Sequence, residues 1–366
     1  MFCSSFAWSF VYVSLPFHIQ AISTWDEAST VRWTGWILGV TALVTVVCSP
    51  VWGRWADRAD PKTLYVAVEV LQGLAFFGMV AARTLPELFL ARFVLGFMGA
   101  SSTFAFVIVG LAADEDEVRR GVAAIQSAMT VGQVVGPLAG AVAASRLGFR
   151  ESFALGGVIL LGCAALVRWG VRVPRPARRA AAAARAVSWG GVGVVAALVL
   201  AGSIQVFFLT AILPQVLHGL GVVPARMLEV GGLVIFASGA AAALGSLAAP
   251  RLAMAMSERR LIAVLLVGSS AGVAALALAG SAWSYGTVRF LQVLLIAPLF
   301  PIVVGRVAHS AGGTAIGVIN SARIGAAFVG PVVATSLIAW TSPAVVYLVL
   351  AAAGLACLPL ASRSHT

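Results

Sequence analysis

The sequence predicts an all-α membrane protein with twelve transmembrane helices, and three properties of the chain carry this prediction. Of its 366 residues, 61% are hydrophobic and only 10% are charged, whereas a soluble domain carries about 25% charged residues. The apolar residues fall in runs of roughly 20, the length that a helix needs to cross a bilayer. The few charges lie in short segments between these runs. Such a chain cannot cover a water-facing surface, so its solvent is predicted to be lipid.

The apolar runs define the predicted spans one after another, each ended by charges or by a segment rich in Gly and Pro. In chain order, the predicted spans are 2–22, 33–53, 64–82, 86–110, 121–143, 151–171, 188–213, 228–249, 261–280, 284–305, 314–338 and 342–361. An even number of crossings places both termini on one side of the membrane.

The basic residues predict which side that is. Most Lys and Arg residues fall in the loops after the second, fourth, sixth, eighth and tenth spans and in the C-terminal tail. The intervening loops hold only Arg32, Arg83, Arg146, Arg150 and Arg226. Because basic residues accumulate on the cytoplasmic side, both termini are predicted to be cytoplasmic, in an inner or plasma membrane.

The composition also argues against several classes of protein. The net charge is +11, but its basic residues sit in membrane loops, so nucleic acid is not expected as a partner. The four cysteines lie in apolar runs without metal-ligand spacing. No nucleophile–base pair, phosphate-binding loop or ATP-binding domain is recognisable, so neither an enzyme nor a bound cofactor or metal is expected.

The longest hydrophilic stretch, 172–187, falls near the middle of the chain and predicts two six-helix halves, 1–171 and 188–366, joined by a basic cytoplasmic linker. The halves resemble each other in sequence. IQSAMTVGQVVGPLAG at 125–140 aligns without a gap with INSARIGAAFVGPVVA at 319–334. Inverted or parallel repeats of this kind are common in transporters.

The loop between the second and third spans, GRWADRADPKTL at 53–64, is unusually rich in charge. It resembles the loop motif of the major facilitator superfamily, which has a glycine, an acid four residues later and then basic residues; Gly53, Asp57, Arg58 and Lys62 match. The twelve spans, the repeat and the basic linker extend the resemblance over the whole chain. It implies a secondary transporter of the major facilitator fold that works by alternating access.

Two positions of this loop depart from the family pattern. Asp60 stands where a glycine is usual and Pro61 where a basic residue is usual. Arg119 and Arg120, in the next cytoplasmic loop, are candidates for the missing positive partner. The resemblance implies a conformational latch in which Asp57 binds a helix N-terminus of the other half; the alternative is that these charges only set the topology.

Two further motifs resemble the same family. Arg92, in LARFVLGFMGA at 90–100, matches the family's helix-4 arginine and is implied in proton coupling, although the usual glutamine is Leu95 here; the alternative is an arginine that reaches the membrane interface.

The segment GQVVGPLAGA at 132–141 resembles the helix-5 motif of the drug/proton antiporter branch. Gly132, Gly136 and Gly140 share one helix face, which permits close packing, and Pro137 bends the helix. Generic packing of small residues is the alternative.

Polar residues in the spans are the remaining candidates. The resemblance implies that helices 1, 4, 7 and 10 line the substrate cavity. The substrate candidates are Tyr12, His18, Gln205, Phe208, Gln215, Arg289, Gln292, Asn320 and Arg323. Glu69 and His18 are candidates for proton coupling beside Arg92, because such a group must gain and lose a proton near working pH. Neutralisation of an arginine is the alternative for Glu69.

The sequence therefore predicts proton-coupled export of small organic molecules by a monomer. Three arginines and one acid within the spans favour an anionic, zwitterionic or acceptor-rich neutral substrate. Two alternatives remain open: proton-coupled uptake of a metabolite, and a non-transporting membrane receptor or assembly protein on the same fold.

Overall fold

A computed structural model describes residues 1–56, 58–111, 115–171, 189–308 and 313–363. Within these ranges, twelve helical segments are long and apolar enough to cross a membrane, which confirms the predicted all-α fold class. We call them spans 1 to 12.

The spans differ in how continuous their helices are. Spans 1 to 6 consist of helices Phe2–Phe10 and Ser14–Ile22 (span 1), Glu27–Ala56 (span 2), Pro61–Ala81 (span 3), Leu85–Phe97 and Ser101–Gly110 (span 4), Glu115–Leu147 (span 5) and Phe149–Gly170 (span 6). Spans 7 to 12 consist of Trp189–Phe207 and Leu209–Gly219 (span 7), Pro224–Ala255 (span 8), Glu258–Ala275 with the 3-10 turn Leu276–Leu278 (span 9), Ala282–Ile296 and Leu299–Ala308 (span 10), Gly313–Ile338 (span 11), and Pro343–Ala356 and Leu358–Arg363 (span 12).

Spans 1, 4, 7, 10 and 12 are each interrupted along their length, at residues 11–13, 98–100, 208, 297–298 and 357. An interrupted helix leaves backbone carbonyls without an intrahelical partner. Lipid offers these groups no hydrogen bond, so the protein must supply one.

The exposed side chains fit a lipid environment. Trp189 and Trp283 lie near the starts of spans 7 and 10, Trp169 ends span 6, and Trp340 follows span 11; all four are exposed, Trp283 by 79%. Tryptophans concentrate at the two membrane–water interfaces. The protein is therefore a multi-pass integral membrane protein.

The chain divides into two compact units. Unit 1 comprises Met1–Thr24 and the chain from Val40 through span 6, and unit 2 comprises Trp25–Gly39 and spans 7 to 12. The predicted linker 172–187 lies outside the described residues, and the division into six-helix halves stays a prediction.

The start of span 2 groups with unit 2 because two of its glycines meet span 11. A Cβ atom on Gly35 would overlap the Thr335 hydroxyl, and one on Gly39 would come within 2.8 Å of the Phe328 ring. The Arg32 guanidinium also lies over the Trp340 ring, 5.3 Å from its centre.

The loop before span 3 contains a helix cap that explains its departures from the family pattern. The Asp60 carboxylate accepts hydrogen bonds from the Thr63 amide at 3.0 Å and the Thr63 hydroxyl at 2.6 Å, and Pro61 occupies the first turn of the helix. An acidic N-cap followed by proline is a favoured helix start. The Thr63 hydrogen bonds hold the pKa of Asp60 below its usual value.

We predict that Asp60→Ala lowers the free energy of unfolding by about 1 kcal/mol, the usual worth of an N-cap, whereas Asp60→Asn retains the acceptor and most of the stability. Because the folded-state pKa of Asp60 is lowered, its contribution is present above the unfolded value of about 3.9 and is lost as the pH falls through the folded value. Thermal unfolding of the purified variants in detergent measures both effects. An Asn variant as unstable as the Ala variant would contradict the capping role.

Candidate functional site

A row of polar side chains joins span 3 to span 1 in unit 1. The Ser4 hydroxyl donates to Glu69 Oε1 at 2.7 Å, and the Trp8 indole donates to Gln72 Oε1 at 2.8 Å. The Tyr65 hydroxyl lies 3.3 Å from the Met1 sulfur. Positions 65, 69 and 72 share one face of a helix, so this face forms a polar bridge, which we define as these three side chains and their span 1 partners.

Glu69 is the acid of this bridge and is fully buried. Its Oε2 atom has no hydrogen-bond partner among the described residues. A buried carboxylate inside a membrane is costly and is a candidate functional group.

The interruption of span 4 is supported by side chains from spans 2 and 3. Gln72 donates to the Met98 carbonyl at 2.5 Å and to the Ser101 hydroxyl at 3.0 Å. Trp52 donates to the Phe97 carbonyl at 2.6 Å, and Thr45 donates to the Gly96 carbonyl at 3.0 Å. Carbonyls at and before the interruption therefore obtain partners from within unit 1.

Span 5 presents its motif glycines to the backbone of span 1. A Cβ atom on Gly132 would lie 2.8 Å from the Phe2 carbonyl, and one on Gly136 would lie 2.9 Å from the Phe6 carbonyl. A Cβ atom on Gly140 would overlap the Phe10 carbonyl. Pro137 lies inside the same helix. Any side chain at these glycines would push the two helices apart.

The other two proton-coupling candidates are also buried in unit 1. Arg92, 3% exposed, interacts electrostatically with Tyr12, which lies in the interruption of span 1. His18 is buried with its ring edge-on to Phe153 at 5.1 Å, and its Nε2 atom has no hydrogen-bond partner among the described residues.

In unit 2, Arg289 holds the interruption of span 7. Its Nη1 donates to the Gln205 carbonyl at 2.7 Å, and its Nη2 donates to the Val206 carbonyl at 2.6 Å. Both carbonyls belong to the last turn of the helix that ends at Phe207. Nη1 also donates to Gln292 Oε1 at 2.5 Å. The guanidinium thus replaces intrahelical partners that the interruption removes.

Further buried polar groups surround Arg289. The Gln292 amide donates to Gln205 Oε1 at 3.3 Å, and the Gln205 amide donates to the Ser270 hydroxyl at 3.1 Å. The Arg289 guanidinium lies over the Phe208 ring, 5.1 Å from its centre. Four substrate candidates, Gln205, Phe208, Arg289 and Gln292, therefore come together as one network across spans 7, 9 and 10.

The remaining candidates of unit 2 lie outside this network. Arg323 is half-buried, donates to Asn320 Oδ1 at 3.4 Å and lies over the Phe300 ring, 5.2 Å from its centre. Gln215 has a buried Oε1 atom without a partner among the described residues. The placement of any of these residues in a substrate cavity stays a prediction.

The residues predicted to form the latch are only partly described. Asp57, the burial of Gly53 and the side chain of Arg119 lie outside what the structure describes. Arg58 and Arg120 are exposed. Lys62 donates to the Val171 carbonyl at 2.7 Å and so caps the C-terminal end of span 6. The latch function stays a prediction.

Sequence reasoning missed several members of these networks. They are Ser4, Trp8, Gln72 and Ser101 in unit 1 and Ser270, Tyr285 and Tyr347 in unit 2. The Tyr347 hydroxyl donates to the Tyr285 hydroxyl at 3.1 Å beside Phe208. The spacing of the two polar residues that follow Tyr65 in span 3 was a usable signal, since it places all three on one helix face.

Comparison with known proteins identifies the family. The sequence profile of the Major Facilitator Superfamily matches residues 1–323. The uncharacterized MFS-type transporter YuxJ of Bacillus subtilis is 24% identical over 334 residues, covering 87% of this chain and 83% of that protein. The multidrug resistance protein MdtG of Citrobacter koseri is also 24% identical, but over 162 residues, covering 44% of this chain and 40% of that protein.

Solved structures share the fold at low sequence identity. The nucleoside transporter NupG superposes with a TM-score of 0.76 at 13% identity, covering 99% of this chain and 96% of that chain. A bacterial homolog of the human lysosomal transporter Spinster gives a TM-score of 0.73 at 13% identity, covering 99% and 92%. The matched proteins are transporters and not enzymes. Because the family profile spans most of the chain, this protein belongs to the Major Facilitator Superfamily of membrane transporters.

Proposed function

We propose that the protein exports small organic molecules by alternating access, in exchange for protons. The observation that carries this proposal is the contact of Gly132, Gly136 and Gly140 with the backbone of span 1. These glycines match the helix-5 motif of the antiporter branch. The close backbone contact fixes the position of span 1 against span 5.

The likeness to a multidrug resistance protein supports the outward direction of transport. That likeness covers less than half of either chain, so direction needs its own test. Uptake of a metabolite with protons, and a receptor that does not transport, are the competing outcomes of that test.

The substrate is proposed to be anionic, zwitterionic or neutral with strong acceptors. Arg289 and Arg323 contact amides, carbonyls and aromatic rings. Because these partners are neutral, they do not compensate the positive charge of either guanidinium. Positive potential in a low-dielectric interior disfavours lipophilic cations. Arg323 is half-buried, which makes it the more accessible of the two to a substrate.

The remaining parts of the proposal concern setting and conformational control. We place the protein in the inner or plasma membrane as a monomer with both termini in the cytoplasm, following the basic loops. We retain the latch at Gly53 and Asp57 as the device that favours the state closed to the cytoplasm.

The test is transport by purified protein in liposomes, using matched anionic and cationic fluorescent compounds with and without an imposed pH gradient. We predict uphill movement driven by the pH gradient and preference for the anionic set. Arg323→Met should reduce that preference several-fold, because it removes a cation while keeping an apolar side chain of similar length.

Each outcome decides one part of the proposal. A transport rate that does not depend on the pH gradient would contradict proton coupling. Movement of substrate together with protons makes the protein an uptake symporter, and no transport across the panel favours the receptor. A wild type that prefers cations, or an Arg323→Met variant with the wild-type preference, contradicts the substrate class.

We also predict that Gly136→Leu abolishes transport, because its side chain would enter the space of the Phe6 carbonyl. The matched control is Val135→Leu on the same helix, since Val135 is 39% exposed and can grow without a clash. Both variants are to be compared for expression, monodispersity and transport in liposomes. Normal transport by Gly136→Leu would show that the contact between spans 1 and 5 is dispensable.

A further inference from the structure

The polar bridge of unit 1 has an acid at its centre whose hydrogen bonding is incomplete. Glu69 Oε1 accepts one hydrogen bond from Ser4, and Oε2 has no partner among the described residues. The carboxyl group is fully buried. A buried carboxylate with one unbonded oxygen is poorly stabilised in a membrane interior, whereas a protonated carboxyl carries no net charge. The site is therefore built for a group that changes protonation.

The groups that face Glu69 come from four spans. Tyr65 is on its own helix, and the Tyr65 hydroxyl lies 3.8 Å from the Cys163 sulfur of span 6. Span 4 contributes the Ser101 hydroxyl, and span 1 contributes Ser4 and the amino group of Met1. The side chains in this group are hydroxyls and a thiol, and the charged group beside them is the Met1 amine.

Gln72 connects the region around Glu69 to span 1 and to the interruption of span 4. It lies one turn from Glu69 on the same helix face. It accepts from Trp8 of span 1, and it donates to the Met98 carbonyl and Ser101 at the interruption of span 4. The same face of span 3 thus contacts both span 1 and the interruption of span 4.

Span 1 is held differently on its two sides. Toward span 5 it rests on three glycines in close backbone contact, with one added hydrogen bond from the Ser9 hydroxyl to the Gly132 carbonyl at 3.3 Å, and none of these groups titrates. Toward span 3 it is held by hydrogen bonds from Ser4 and Trp8, which can change with the charge of Glu69. A change of protonation would therefore act on the span 3 side of span 1.

We propose that Glu69 is the proton-binding group of this transporter and that Ser4, Gln72 and Trp8 are positioning residues that transmit its protonation state to span 1. The ligand is a proton, bound at the free carboxyl oxygen from one side of the membrane and released to the other. No covalent bond besides O–H is formed or broken. This inference rests on the proposed proton coupling and selects Glu69 over Arg92 and His18.

The test uses the proton itself as the probe and needs no transported compound. Purified protein in detergent is stepped between about pH 6 and pH 8, a range in which exposed carboxyl groups are already ionised, and proton release is counted with an indicator dye. We expect Glu69→Gln to release about one proton per chain fewer than the wild type over this range. Glu69→Asp should restore the release. Glu69→Gln keeps an acceptor for Ser4, so the fold is preserved.

The matched control is Asp26→Asn, because Asp26 is an exposed acid in the loop before span 2 whose hydrogen bonds from Ser29 hold its pKa below the usual value; this variant should release as many protons as the wild type. A second readout is amide hydrogen exchange in residues 2–22, corrected for the intrinsic effect of pH. Exchange there should depend on pH in the wild type and lose that dependence in Glu69→Gln and Gln72→Leu.

Equal proton release by the wild type and Glu69→Gln would overturn the assignment of Glu69. A pH response of residues 2–22 that survives in both variants would overturn the positioning roles. Failure of the proposed function would give a different result. In that case Glu69 would still release its proton, but the rate of transport in liposomes would not depend on the pH gradient.

Discussion

The structure depends on the rule that every backbone polar group in a membrane needs a partner from the protein. Among the interrupted spans, spans 4 and 7 have carbonyls beside the break that accept hydrogen bonds from buried side chains. In unit 1, the carbonyls around residues 96–98 are bonded by Thr45, Trp52 and Gln72. In unit 2, the two carbonyls before Phe208 are bonded by Arg289.

The two units meet this demand with different chemistry. Unit 1 uses the neutral side chains of Thr45, Trp52 and Gln72 at the interruption of span 4. Unit 2 uses a guanidinium, fixed by Gln292 and stacked on Phe208. Arg289 and Gln292 of span 10 have the spacing of the arginine–glutamine pair that the family resemblance implies for span 4. In span 4 itself, Leu95 stands in place of the glutamine.

The sequence was enough to predict the twelve spans, because the length of an apolar run sets whether a helix can cross the bilayer. We did not predict the interruptions, because a broken helix remains an apolar run. Gly99 and Pro298 lie in two of them, whereas Phe208 carries no Gly or Pro signal. Span 2 begins at Glu27 instead of residue 33, because Asp26 caps the helix by accepting from the Ser29 amide. The polar bridge was missed because Ser and Trp on an apolar run carry no charge to reveal them. Asp60 was treated as a departure from a motif, although an acid before proline is itself a helix-start signal.

The most direct test of this account is the cost of removing Arg289. Arg289→Met leaves two carbonyls and Gln292 without their donor, and charged hydrogen bonds of this kind are each worth about 1.5–3 kcal/mol. The measurement is the free energy of unfolding of Arg289→Met against that of Arg323→Met, a half-buried arginine of the same unit that contacts an amide and a ring. The account predicts a loss of about 3 kcal/mol for Arg289→Met and a much smaller loss for Arg323→Met. Equal losses, or no loss for Arg289→Met, would contradict the claim that side chains hold the interrupted spans together.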